Sequence, residues 1–180
     1  MTTPDRTPTN WYVLTGGPSS GKTTTVELLG ARGYTTTIEH ARHYLDVKRI
    51  QGQTVEEVRA RRYQFQRGVL DMQFEQEASL DPEETVFLDR ALPDSLAYYR
   101  FLGLEPDARL LDALTHVSYR RVFILDLLPL APDYARTEDV AAQRRIHALI
   151  TEVYQDLPIS VVTVPVLSPA DRVAYILERL

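Results

Sequence analysis

Gly16-Gly17-Pro18-Ser19-Ser20-Gly21-Lys22-Thr23 is a glycine, four residues, and then Gly-Lys-Thr, the spacing of a P-loop. An apolar run of β type, Trp11-Tyr12-Val13-Leu14, precedes it, and a helix-compatible run from Thr24 to Gly30 follows. That context is what the chemistry requires. Glycines let the backbone fold around an anion with its N–H groups turned inward, and the helix adds unpaired N–H groups and a positive dipole end. Gly16, Gly17, Pro18, Ser19, Ser20, Gly21, Lys22, Thr23 and Thr24 are therefore expected to cradle the phosphates of a nucleotide. Lys22, on an exposed loop, would reach the β- and γ-phosphates, and the Thr23 hydroxyl would serve Mg²⁺. The chain holds two lysines against eighteen arginines. One of the two stands where a compact ammonium fits between phosphate oxygens and a planar guanidinium does not.

Outward from the loop, strand and helix patterns alternate. Strands are predicted at Trp11–Leu14, Thr35–Ile38, Thr85–Leu88, Val122–Leu125 and Ser160–Val164. Most are continuously apolar, as parallel strands covered on both faces are. Thr54-Val55-Glu56-Glu57 is a capping box opening a long helix to about Ala78. Further helices are predicted at Ser95–Leu102, Asp107–His116, Glu138–Gln155 and after Ser168-Pro169. The order implies one α/β domain, residues 11–180, with a five-stranded parallel sheet and helices on both faces: the P-loop NTPase class. Residues 1–10 read as a disordered tail, and 127–145 as a lid segment.

In such sheets ligands bind at the carboxyl ends of the strands. The second strand ends at Glu39, the third at Asp89-Arg90 and the fourth at Asp126. Phosphoryl transfer needs a carboxylate for Mg²⁺, a base and cations for the transferring group. Asp89, after Thr85-Val86-Phe87-Leu88, follows a Walker B pattern and is the expected metal ligand beside Thr23, with Asp126 as its competitor. Glu39 is the candidate general base. Arg136, in the long irregular stretch after Asp126, could swing onto the γ-phosphate as a lid arginine. His40 and His43 are read as ordinary loop or helix-start residues, because no third metal ligand accompanies them. His116 and His147 carry no motif.

Composition narrows the class. A net charge of −5 over 180 residues does not support a general nucleic-acid surface. The chain has no cysteine, which excludes disulfides and thiolate metal sites and fits a reducing cytoplasm. Met1–Asn10 lacks the basic start and apolar stretch of a signal peptide, and no run reaches membrane-spanning length. Homodimerisation is compatible with all of this.

Leu14 to Thr24, Ile38-Glu-His-Ala-Arg42, Phe87-Leu-Asp-Arg-Ala-Leu-Pro-Asp-Ser-Leu-Ala-Tyr-Tyr99, Arg136-Thr-Glu-Asp139 and Val164 to Val173 together carry a resemblance. The chain resembles the small single-domain AAA-class ATP-binding proteins related to the ribosylnicotinamide kinase domain of bacterial NAD-biosynthesis regulators. The resemblance implies a nucleoside/nucleotide-kinase-like core, a phosphate contact for Arg90 and a lid role for Arg136. It names no acceptor, because the adenylyltransferase domain of those regulators has no counterpart here. Two readings compete: a kinase using ATP (or GTP) and Mg²⁺ on a small hydroxyl-bearing, nucleoside-like acceptor, and a regulatory NTPase or phosphoinositide/GTP-binding module without a kinase acceptor.

Overall fold

The computed structural model describes residues 8–130 and 139–180. Strand β1 (Trp11–Thr15) leads into helix α1 (Lys22–Ala31), then β2 (Thr35–Thr36). Three helices follow, α2 (His40–Ile50), α3 (Val55–Ala60) and α4 (Arg62–Ser79), and then β3 (Val86–Asp89). Helices α5 (Leu92–Phe101) and α6 (Ala108–Leu114) lead to β4 (Arg121–Leu125). Helix α7 (Val140–Gln155), β5 (Val161–Val164) and α8 (Pro169–Leu177) complete the chain. The five strands are parallel in the order 2-3-1-4-5.

Period-two side-chain alternation divides the core into two layers. Trp11, Val13, Val86, Leu88, Val122 and Ile124 face α4, α5, α6 and α7. Tyr12, Leu14, Phe87, Phe123, Leu125 and Val164 face α1 and α8. Both faces of the central strands are covered, which is why these strands read as unbroken apolar runs.

Three expectations are corrected. The long helix from Thr54 is two helices: Thr54 caps α3 in the predicted box with Glu57, but Arg61 (φ −94°, ψ 59°) leaves helical geometry before α4 begins. Helix α2, which the residue pattern did not announce, packs on both. Leu45, Val55, Val58 and Phe65 form a separate small core there, and a Cβ at Gly68 would overlap the Tyr44 ring. The second strand stops at Thr36, and Ile38 is exposed. Of the expected tail, Thr9 and Asn10 are held: Thr9 Oγ1 donates to the Ser118 carbonyl at 2.8 Å and Asn10 N to that of Pro82 at 2.8 Å.

Candidate active site

The sheet order places β1 between β3 and β4, so the loop after β1 lies at a topological switch point. Registry pairs Leu14 with Asp89, and Arg90 N donates to the Leu14 carbonyl at 3.0 Å. The Asp89 carboxylate is thereby held one strand from the loop. Within the loop, glycines are required by space as well as by dihedral. Gly16 has φ +141°, and a Cβ there would sit 2.6 Å from the Leu125 carbonyl. Gly21 has φ +77°, caps α1 and leaves no room for a Cβ against Arg172.

Lys22, Glu39, Asp89 and Arg90 form one ionic chain. Lys22 Nζ lies 3.1 Å from Asp89 Oδ1 and 3.7 Å from Glu39 Oε2. Arg90 Nε lies 3.5 Å from Glu39 Oε1, and Arg90 Nη1 donates to Asp94 Oδ1 at 2.9 Å. Contrary to the exposed placement expected of it, Lys22 is 4% exposed. Arg90 takes φ +68°, the left-handed region that a non-glycine residue keeps only when its surroundings impose it. Burial raises the Asp89 carboxyl above its ordinary range, with Glu39 adding to the effect and Lys22 and Arg90 opposing it. Burial works against the Arg90 charge, but Tyr98, Asp94, Glu39 and Asp89 outweigh it and keep the guanidinium protonated.

A cavity of about 470 Å³ opens from this chain. Pro18, Ser19, Ser20 and Lys22 line it on the loop side; further lining comes from α2, α4 and α5, with Leu45, Phe65, Val69, Tyr98 and Phe101 as apolar surface. Arg42, Arg59 and Arg62 also line it. A family description, that of an AAA domain, matches residues 11–172.

The chain belongs to the AAA domain family.

No curated protein matches it in sequence. Solved structures do match in fold. Deoxyadenosine kinase from M. mycoides with products dCMP and a flexible dCDP bound superposes with a TM-score of 0.64 at 13% identity, covering 94% of this chain and 97% of that one. Thymidylate kinase from Ehrlichia chaffeensis gives 0.62 at 17% identity, with 96% and 98% covered. The NadR protein in complex with NR gives 0.55 at 20% identity, with 86% of this chain and 43% of that one covered. The P-loop NTPase fold, with the sheet of small nucleoside and nucleotide kinases, is thus established for this AAA domain.

Several residues that shape the site carry no local motif. Asp94 is a buried hub: it accepts from Thr15 Oγ1, from Arg90, from Ala91 N at 3.1 Å and from Tyr154 OH at 2.6 Å. Its signals in the sequence were its place in the Phe87–Tyr99 block and at the start of α5. Helix α7 lies directly on the loop. Gln143 Nε2 donates to the Pro18 carbonyl at 2.8 Å and to that of Leu128 at 3.0 Å, and His147 Nδ1 accepts from Gly17 N at 3.1 Å. That bond fixes the neutral His147 ring with its proton on Nε2; burial lowers its pKa, against Asp126 and with Arg90. His40 is buried and bonded to Gln76 Oε1 at 2.6 Å. Among the described residues no cluster of His, Cys, Asp or Glu forms a metal cage. Arg136 and residues 131–138 of the lid segment lie outside the described residues. Residues 140–145 of that segment are the first turns of α7.

Proposed function

We propose that this AAA domain is an ATP- and Mg²⁺-dependent phosphotransferase acting on a small, hydroxyl-bearing, nucleoside-like acceptor. The observation that carries this reading is the single cavity joining the phosphate loop to an apolar and aromatic wall, with Glu39 among its lining residues. A donor nucleotide on the loop and an acceptor against Phe65 and Tyr98 would meet beside that carboxylate. Glu39 would take the proton of the acceptor hydroxyl, while Lys22 and Arg90 bear the charge of the transferred group. Binding of phosphates would draw Lys22 from its carboxylates, and Glu39, still paired with Arg90 at 3.5 Å, would be the base.

The donor set suits Mg²⁺. Thr23 and Asp89 offer only oxygen, and Mg²⁺ is held by one or two carboxylates together with waters and substrate phosphates. A divalent cation beside Asp89 also favours the ionised carboxylate that burial disfavours. The ion would offset phosphate charge; Thr23 and Asp89 would hold it.

Arg42, Arg59 and Arg62 along the same cavity favour a second reading, a nucleotide-regulated module that binds an anionic head group. Acceptor turnover separates the two. ADP release is measured with ATP over nucleosides, nucleoside monophosphates, vitamins and aminoglycosides. Stimulation with a phosphorylated product recovered establishes the kinase. Slow hydrolysis that no acceptor stimulates, with head-group binding that responds to nucleotide, replaces it with the module.

A further inference from the structure

Arg172, in the first turn of α8, is among the largest fully buried side chains, at 2% exposure. Its guanidinium donates to three backbone carbonyls on three separate segments. Nη1 reaches Ser20 in the phosphate loop, Nη2 reaches Asp126 after β4 at 2.9 Å, and Nε reaches Pro165 after β5 at 3.1 Å. Among the described residues no carboxylate lies within ion-pair distance of it, unlike Arg90 or Arg109. A buried charge without a counter-ion is costly, and a neutral donor could have served the carbonyls alone. Burial accordingly lowers the Arg172 pKa, with Asp126 the partly offsetting charge.

The position explains what the charge is for. In a trans peptide unit the C=O and the following N–H point in opposite directions. A guanidinium on the Ser20 carbonyl therefore holds the Gly21 N–H pointing away from Arg172. It also polarises that unit, so the N–H becomes a stronger donor. Gly21 must be glycine here partly for this reason: a Cβ would lie 2.9 Å from Arg172 Nη1. We infer that Arg172 is a positioning residue of the nucleotide site, a second cation behind the phosphate loop. It orients and polarises the Ser20–Gly21 peptide and adds positive charge, only partly offset by Asp126, to the field at the phosphates. This holds whichever acceptor, if any, the cavity takes.

The test uses Arg172→Met, which removes the charge, and Arg172→Lys, which keeps it without the three-way fork. Calorimetry with inorganic tripolyphosphate and with ATP is run from low to moderate salt, alongside thermal melts. The expected result is a loss of about ten-fold or more in Arg172→Met for both ligands, with a shallower dependence of log Kd on log salt. Arg172→Lys should lose only a few-fold and keep the wild-type salt slope. Wild-type affinity in Arg172→Met overturns the inference. So does equal weakening in both variants with unchanged slopes, the signature of a structural prop. Should Arg172→Met not fold, Arg172→Lys decides alone: a retained slope with a few-fold loss supports the role, and a reduced slope or a loss beyond ten-fold overturns it.

Discussion

Lys22 Nζ and Asp89 Oδ1 lie 3.1 Å apart and both side chains are buried, so the cation of the P-loop and the carboxylate at the end of β3 neutralise each other. Each is the other's placeholder, since a buried charge left alone costs more than the pair.

Removing Lys22 should consequently do two things. Lys22→Ala should lose about 2–4 kcal/mol of nucleotide affinity, the cost of one preorganised donor. It should also destabilise the apo protein by about 3 kcal/mol by stranding Asp89. Asp89→Asn added to Lys22→Ala should recover most of the stability and none of the affinity. Calorimetry and urea denaturation of the two proteins measure both; unchanged affinity in the single variant refutes the P-loop role.

Asp89→Asn alone should depress activity more than nucleotide affinity, because the amide keeps shape and loses the charge that holds a hard cation's shell. A Mg²⁺ titration reads this as an activation curve displaced to higher metal. A curve that coincides with wild type moves the metal role to Asp126 or elsewhere.

Arg136→Ala should lower kcat well beyond its effect on KM if Arg136 acts from a lid on the transition state, as the sequence leads one to expect. Steady-state kinetics on the acceptor found by the ADP-release screen gives both constants. A raised KM with kcat unchanged would assign Arg136 to ground-state binding.

Stability should fall as pH rises from mildly acid to neutral because of Glu77. This half-buried glutamate accepts from Tyr119 OH at 2.8 Å, Gln73 Nε2 at 2.7 Å and Leu92 N at 3.2 Å, yet desolvation, the larger cause, pushes its pKa up to about 7 from 4.5. Between those values the unfolded chain has released the proton and the folded one retains it. Folding therefore loses stability from about pH 4.5 upward, levelling off above pH 7, by roughly 3 kcal/mol in all. Glu77→Gln should flatten that slope in denaturation curves taken at pH 5 and pH 8. An equal slope in the variant would place the pH dependence elsewhere.

What could be read from the residues follows the range of the interactions. The phosphate loop is contiguous, its glycines and lysine are set by local geometry, and strands buried on both faces announce themselves as apolar runs. Helix α2 did not, because His40, Arg42, His43, Asp46, Lys48 and Arg49 thin its apolar stripe to little beyond Ala41, Tyr44, Leu45 and Val47. Nor did the α3–α4 break, since Arg61 bends the chain without glycine or proline. The supports of the loop were invisible for another reason. Arg172 stands 152 residues from Ser20, His147 130 from Gly17, and Gln143 125 from Pro18. Such partners meet only once the sheet order is known.

Trp11, the sole tryptophan, begins β1 at the end away from the phosphate loop, 8% exposed, its indole N–H donating to the Asp81 carbonyl at 2.9 Å. Its fluorescence therefore comes from one known environment in the sheet interior. Unfolding should shift that emission to the red as a single transition, whereas nucleotide binding at the far end of the strand should leave it nearly still. The chain thus carries its own optical gauge of integrity. Loss of ligand affinity in a variant can be told from loss of fold in the same cuvette, without a label.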